Sequence, residues 1–280
     1  MNVKEVKLFA NDIRRETLKC IGHLGVGHIG GALSIVDVLA VLYSGVMNVD
    51  PSDPKKDDRD MLVCSKGHAG PAVYSTLALK GYFPMEMLLT LNQLGTNLPS
   101  HCDMNRTPGI DMTTGSLGQG ASTAMGIACG NRLKGYDNYT YLILGDGEIN
   151  EGQVWEAALF ANAKKLNKVI AFIDYNKLQL DGFVKDICPL DSIPAKFESF
   201  GWYAQDVADG NDVAQIAAAI EKAKAQSEKP SVIVLNTVKG KGYSKIENNA
   251  GNHNAPVSAQ QLAEALAELD AECAAIEKEA

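Results

Sequence analysis

Apolar residues recur along this chain with two periods, and segments of the two kinds alternate. Segments 3–24 and 258–279 have the apolar spacing of amphipathic helices. Short apolar runs rich in strand-forming residues predict strands at 61–64, 139–144, 169–173, 202–207 and 231–237. Further helices are predicted at 34–46, 69–80, 84–94, 118–133, 150–166 and 212–226, with a short one ending at residue 200. The alternation predicts a doubly wound α/β fold, with a mainly parallel sheet flanked by helices.

Three polar or Gly- and Pro-containing segments, 97–112, 178–194 and 238–256, are predicted to be loops. Long ordered loops in compact domains are often functional. Ser34 is expected to cap the helix at 34–46, with Asp37 three residues later. Because the chain has neither an internal repeat nor a linker, residues 1–280 are predicted to form a single domain with a helical tail at about 258–280.

Composition narrows the classes of function. The 280 residues carry a formal charge of −8, which argues against nucleic-acid binding. We see neither a signal-peptide core nor an apolar run close to the ~18 residues of a membrane span, so we expect a cytoplasmic protein with no membrane contact. The six cysteines form no C-x-x-C pair, which favours reduced thiols and argues against a zinc site.

The most informative pattern is Gly145-Asp146-Gly147-Glu148, followed by Asn176 thirty positions after Asp146. Each polar residue follows a predicted strand, so both side chains would meet in the crevice at the carboxyl edge of a parallel sheet. Carboxylate and amide oxygens suit Mg²⁺ or Ca²⁺, and the carbonyl of Leu178 is a candidate third ligand. A simple turn is the alternative, since this tripeptide is common in turns. The spacing favours a metal-bridged diphosphate site like that of thiamine diphosphate enzymes.

Two further patterns point to the same cleft. The segment 113–120, Thr-Thr-Gly-Ser-Leu-Gly-Gln-Gly, begins a helix, where exposed N–H groups can hold an anion or a polar ring, although such starts are often only structural. Four of the five histidines lie in predicted loops, and they suggest one cleft for hydrogen bonding and proton transfer near neutral pH: His28, His68, His101 and His253. The alternative for each is a solvated loop histidine.

Together these residues resemble the amino-terminal, diphosphate-binding domain of transketolase. The likeness covers nearly the whole chain and depends on the shared order of several motifs. These are GHIGG, SKGHA, TTGSLGQG, GDGEINEGQVWEA, IDYNKLQLDG, the Asp209-Gly210 pair, and VKGKGYSKIEN followed by His253.

The resemblance implies thiamine diphosphate and Mg²⁺, with Ca²⁺ as a possible substitute, and it implies specific roles. The metal ligands would be Asp146, Asn176 and the Leu178 carbonyl. The residues that bind the cofactor would be His68, Gly115, Ser116, Leu117, Gly147, Glu151, Asn176 and His253, and Glu151 would also join a network linking two active sites. His28, His101 and His253 would bind substrate, and His28 and His253 would relay protons as catalytic residues.

The chain departs from the family pattern around the substrate channel. Ser116 replaces a usual Pro, Cys102-Asp103 replaces Pro-Glu, and Asn252 and Asn254 flank His253. The resemblance therefore does not identify the donor and acceptor sugars, while it does identify the cofactor.

The sequence matches only the first transketolase domain, so we expect a partner subunit that brings the pyrimidine-binding and carboxy-terminal domains in an α₂β₂ assembly. The expected reaction moves a two-carbon ketol unit from a ketose phosphate to an aldose phosphate, as in the pentose phosphate pathway. The alternatives are a ketol transferase for an unusual sulfonated or branched sugar, the α subunit of a 2-oxo acid dehydrogenase, and an inactive assembly partner.

Overall fold

The computed structural model describes residues 1–180 and 182–279; Asp181 of the IDYNKLQLDG motif and Ala280 of the predicted tail lie outside it. The strands are β1 Val26–Gly27, β2 Met61–Cys64, β3 Thr140–Gly145, β4 Val169–Asp174, β5 Leu178–Gln179, β6 Gly182–Phe183, β7 Tyr203–Val207, β8 Ser231–Leu235 and β9 Ala255–Pro256. The α-helices are α1 Val3–Leu24, α2 Ile29–Leu33, α3 Val36–Val41, α4 Gly70–Leu79, α5 Gln119–Leu133, α6 Gly152–Ala163, α7 Val184–Ile187, α8 Ile193–Ser199, α9 Val213–Ala225 and α10 Ala259–Glu277.

Five strands form the central sheet, in the order β2-β3-β4-β8-β7. Every neighbouring pair in it is parallel. The register pairs Gly145 at the end of β3 with Asp174 at the end of β4. The predicted fold class is confirmed, and the carboxyl ends of the strands meet at one edge.

Alternate residues of each strand enter different hydrophobic cores, as the two-residue period of a strand requires. Tyr141 and Ile143 of β3 pack with residues of α1, α3, α4 and α9 on one face. Leu142 and Leu144 of β3 pack with residues of α5, α6 and α8 on the other. Because burying one such side chain contributes roughly 1.5–3 kcal/mol, both faces of the sheet are fixed against their helices.

The predicted carboxy-terminal helix packs against the amino-terminal one. α10 begins with a capping box between Ser258 and Gln261. Its Leu269 is buried in the first core, and the Leu269 carbonyl accepts a hydrogen bond of 3.0 Å from Asn11 Nδ2 of α1. Both ends of the chain are thereby held on the same face of the sheet.

The Ser34 cap is wrong. The helical segment begins earlier, at Ile29, and breaks between α2 and α3 before ending in a π-helical turn, Leu42–Val46. The Ser34 hydroxyl instead donates to Asp174 Oδ2 at 2.7 Å, and Asp37 pairs with Arg14 in the interior. Burial gave both side chains tertiary partners, which outweighed the local capping geometry.

Other element boundaries also differ from expectation. The predicted loop at 178–194 contains the antiparallel pair β5–β6 and the short helix α7. The helix expected at 150–166 starts at Gly152, after a 3₁₀ turn at Glu148–Asn150. The segment expected to be helical at 84–94 is a 3₁₀ helix, Met85–Thr90.

One segment is more apolar than we expected. Ile29–Val46 has a mean hydropathy of 1.8 over 18 residues, long and apolar enough by composition to cross a membrane. However, 83% of this segment is buried inside the structure, as in the core helix of a globular domain. All six cysteines have free thiols in the structure.

Candidate active site

Three neighbouring strands end at one edge of the sheet, and each is followed by polar residues. β2 leads into Ser65 and Lys66, β3 into Asp146, and β4 ends at Asp174, two residues before Asn176. The Asp146 amide donates to the Asp174 carbonyl at 3.2 Å, which continues the β3–β4 pairing past the end of β3. The sheet itself therefore brings the two halves of the predicted motif together.

A cavity of about 450 Å³ opens at this edge. All the predicted site residues line it apart from Ser116, which is exposed between the lining residues Gly115 and Leu117. The carbonyl of Ser116 accepts a hydrogen bond of 3.3 Å from the Gln119 amide in the first turn of α5. The fold thus gathers the predicted residues in one place; their individual roles stay predictions.

The candidate metal ligands have defined orientations. Asp146 Oδ1 accepts from the Gly147 amide at 2.7 Å, and its Oδ2 accepts from the Lys177 amide at 2.6 Å. Asn176 Oδ1 accepts from the Leu178 amide at 3.1 Å, which closes the turn that presents the Leu178 carbonyl. Each oxygen keeps a further lone pair, so the set fits a hard cation.

Burial, followed by the nearby Asp174, raises the pKa of Asp146 to about 7. The buried carboxyl therefore favours a positive partner, either a proton or a metal ion. In the described part of the chain no three His, Cys, Asp or Glu side chains could hold a metal by themselves. A cation here would need the amide oxygen of Asn176 and the carbonyl of Leu178 beside the Asp146 carboxylate, and this ligand set stays a prediction.

Asp174 is a buried residue that the sequence analysis missed. Its carboxylate accepts hydrogen bonds from Ser34 Oγ at 2.7 Å, from Asn176 Nδ2 at 2.8 Å and from Thr237 Oγ1, and it pairs with Lys66. Burial alone would raise the pKa of Asp174, but Lys66 and these donors outweigh it and hold the pKa below its ordinary value. An ion pair between Lys66 and Asp174 therefore lies next to the candidate metal ligand Asn176.

Two buried lysines, also missed, line the cavity. Lys66 and Lys239 are 1% and 2% exposed. Lys66 Nζ contacts Asp174 Oδ2, and Lys239 Nζ donates to the Leu178 carbonyl at 3.3 Å. Both lysines occur in motifs that carry the resemblance, SKGHA and VKGKG. Their direct neighbours there are small or apolar residues, and this pattern is the sequence signal that could have identified them. Their buried charges suit an anionic ligand such as a diphosphate.

The four loop histidines form one cluster. The ring centroid of His28 lies 5.4 Å from that of His68, 5.5 Å from that of His101 and 5.4 Å from that of His253. Burial, followed by Lys66 and the other histidines, lowers the pKa of His68 to about 2, and burial lowers the pKa of His28 and of His101. These three imidazoles are therefore neutral near pH 7, so each can both donate and accept a hydrogen bond.

The segment before α5 reaches the cavity because its backbone packs closely on the loop after β2. A Cβ on Gly67 would lie 2.6 Å from the carbonyl carbon of Thr114, and one on Gly120 would lie 2.3 Å from Ser65 Oγ. Gly118 precedes the helix with a φ of +81°, a conformation that favours glycine. Gly115, with a φ of +150°, and Gly118 thus give the segment before α5 backbone conformations that favour glycine.

The model of the family described as "Transketolase, thiamine diphosphate binding domain" matches residues 6–276. The match spans nearly all of the chain. The cofactor that the family binds, thiamine diphosphate, is the kind of ligand that the cavity described above suits.

Two curated relatives are similar over almost their full lengths. A 6-deoxy-6-sulfo-D-fructose transketolase subunit of Clostridium sp. (strain MSTE9) is 54% identical over 263 residues, which are 94% of this chain and 95% of that protein. An apulose-4-phosphate transketolase subunit of Phocaeicola vulgatus is 35% identical over 279 residues, 100% of this chain and 99% of that protein.

Among solved structures, the transketolase of Campylobacter jejuni superposes with a TM-score of 0.90 at 30% identity. The match covers 96% of this chain and 43% of that chain, so this protein corresponds to part of a full-length transketolase. The chain belongs to the transketolase family, as a thiamine diphosphate-binding transferase subunit that matches the amino-terminal domain of the family.

Proposed function

We propose that this chain, with a partner subunit, transfers a two-carbon ketol unit from a ketose phosphate to an aldose phosphate. The observation that carries the proposal is the meeting of Asp146, Asn176 and the Leu178 carbonyl with the four-histidine cluster in one cavity. An anion and cation site beside neutral imidazoles fits a diphosphate cofactor next to a hydroxylated substrate. The α subunit of a 2-oxo acid dehydrogenase is not favoured, since the matched family and relatives are transketolases.

Different residues of the chain would bind the metal ion, the diphosphate and the substrate. Asp146, Asn176 and the Leu178 carbonyl would hold Mg²⁺, or Ca²⁺ in its place, and the buried lysines with His68 and the Gly147 amide would hold the diphosphate. When bound, thiamine diphosphate supplies a nucleophilic carbon that lets a ketose be cleaved beside its carbonyl. His28, His101 and His253 would bind the sugar hydroxyls, and His28 and His253 would move their protons.

The donor sugar is proposed to end in an anionic group. A ketose phosphate of the pentose phosphate pathway is the first candidate. The relative with 54% identity acts, by its name, on a sulfonated ketose, so 6-deoxy-6-sulfofructose is the second. The two sugars offer similar hydroxyls to the histidines and differ at the far end.

A partner subunit is proposed to complete the site, within a cytoplasmic α₂β₂ assembly. The curated relatives are named as subunits, and this chain covers 43% of a full-length homologue. An exposed apolar surface, the α5–α6 face, offers a contact area; its side chains are Leu133, Leu159 and Phe160. Such a patch is typical of an interface.

The test is to express this chain with the product of the adjacent gene and to purify the complex. Xylulose 5-phosphate and 6-deoxy-6-sulfofructose are offered as donors, with ribose 5-phosphate as acceptor, thiamine diphosphate and Mg²⁺. We expect transfer from one of the donors and its loss after removal of Mg²⁺ with a chelator. A complex that binds the cofactor yet transfers from neither donor, or that acts on a lipoyl acceptor, would refute the proposal.

A further inference from the structure

The carboxylate of Glu148 joins three segments beneath the cavity. Its Oε1 accepts from Ser65 Oγ, in the loop after β2, and from the Gly118 amide, just before α5, at 2.9 Å. Its Oε2 accepts from the Gly145 amide, the last residue of β3, at 3.0 Å. Glu148 is 2% exposed, so water does not compete for these bonds.

Each of the three donors lies next to a residue of the proposed site. Gly145 directly precedes Asp146, the candidate metal ligand. Gly118 directly follows the segment 115–117, which would meet the thiamine rings. Ser65 precedes Lys66, whose ammonium pairs with Asp174. One side chain therefore connects the ring-binding loop, the metal ligand and the buried ion pair.

The geometry suits two acceptor oxygens, as in a carboxylate, rather than the single acceptor of an amide. Three donors converge on two oxygens, and a carboxylate offers about four lone-pair sites and no donor. Burial raises the pKa of Glu148 above its ordinary value, although the three donors and then Lys66 oppose that rise. The two backbone donors, Gly118 and Gly145, bind different oxygens of the carboxyl group, so both oxygens must be acceptors.

We propose that Glu148 is a positioning residue, which fixes the separation between the ring-binding loop at 115–117 and the metal ligand Asp146. This inference rests on the proposed function, because it assigns the two segments to the two ends of one cofactor. Glu148 acts through the backbone of Gly118 and Gly145 and needs no contact of its own with the cofactor.

The substitution Glu148→Gln tests the idea with little change in volume. A glutamine has one acceptor oxygen, so whichever way the amide turns, either the Gly118 or the Gly145 N–H faces an NH₂ group and loses its partner. Glu198→Gln, at an exposed position in α8, is the matched control.

The first measurement is hydrogen exchange of the full chain without ligand. We expect the amides of one of the segments 115–119 and 144–148, the one whose N–H loses its acceptor, to exchange at least about tenfold faster in Glu148→Gln, with α10 unchanged. Unchanged exchange in both segments, or acceleration spread over the whole chain, would overturn the inference, because the first denies the contact and the second indicates a general structural role.

The second measurement compares ligands in the complex with the partner subunit. Affinity for thiamine diphosphate with Mg²⁺ should fall at least about tenfold in Glu148→Gln, and affinity for inorganic diphosphate with Mg²⁺ should fall less. Equal losses for both ligands would contradict a role in spacing. If the wild-type complex binds no thiamine diphosphate, the proposed function fails, and the exchange experiment still decides whether Glu148 holds the two loops.

Discussion

Asn176 Nδ2 donates a hydrogen bond of 2.8 Å to Asp174 Oδ2, and this bond decides which end of the Asn176 amide faces the cavity. With the NH₂ group held by a buried carboxylate, the amide oxygen is the atom left for a cation. Asp174 is held in turn by Lys66, Ser34 and Thr237. The proposed metal site would therefore be oriented from below by residues that do not themselves touch the metal.

Asp146→Ala should abolish Mg²⁺-dependent binding of thiamine diphosphate, because it removes the only charged ligand of the proposed set. Titration calorimetry of the complex with and without Mg²⁺ measures this. Asp137→Ala, at a side chain that is 91% exposed, should leave binding unchanged. Tight Mg²⁺-dependent binding by Asp146→Ala would refute the assignment.

Asp174→Leu should lower Mn²⁺ affinity by at least about tenfold, since the Asn176 amide would lose the acceptor that orients it. It should also cost roughly 3–5 kcal/mol of unfolding free energy, because Lys66 is left as an uncompensated buried charge. Electron paramagnetic resonance of bound Mn²⁺ and urea denaturation measure the two effects.

The double variant Asp174→Leu with Lys66→Met separates these effects. Removing the second charge should recover most of the stability but not the Mn²⁺ affinity. Recovery of both together would mean that Asp174 acts only through stability and does not orient Asn176.

His68→Asn should flatten the dependence of stability on pH below about 6.5. Burial lowers the pKa of His68 to about 2, so between pH 6.5 and 2 the unfolded chain binds more protons than the folded one. The free energy of unfolding contributed by this residue is therefore full above pH 6.5 and falls with decreasing pH, by up to about 1.4 kcal/mol per unit.

Denaturation of the unliganded chain from pH 5 to 7.5 measures the effect as the difference between the variant and the wild type. The difference is used because the raised pKa of Asp146 adds a slope of opposite sign. The control is His23→Asn, at an exposed histidine in α1. Equal slopes for wild type and His68→Asn would show that His68 is not buried in neutral form.

Leu159→Lys together with Phe160→Lys should weaken assembly without unfolding the chain. Both side chains are exposed on the α5–α6 face, at 58% and 42%. Light scattering of the complex should report a smaller particle. Leu94→Lys, at an exposed leucine outside this face, should leave the mass unchanged, and an unchanged mass for the double variant would exclude the face as an interface.

Much of the site could be predicted because its signals are local in sequence. Asp146 and Asn176 follow recognisable strands, and parallel strands end at the same edge. The histidine loops were identified by their polar and glycine-rich neighbours. Ser34 shows the limit, since its apparent capping pattern gave way to a hydrogen bond with Asp174, 140 positions away in the chain.

The sequence by itself determined the alternation of strands and helices, the family and the residues proposed to meet the cofactor, since periodicity and motif order are properties of neighbouring residues. Only the tertiary structure decided which buried charges support them. Lys66, Glu148 and Asp174 are brought together from three strand ends, and their partners are chosen by burial. The physical reason is that a buried polar group must find its partners wherever the fold places them, and sequence distance does not record that choice.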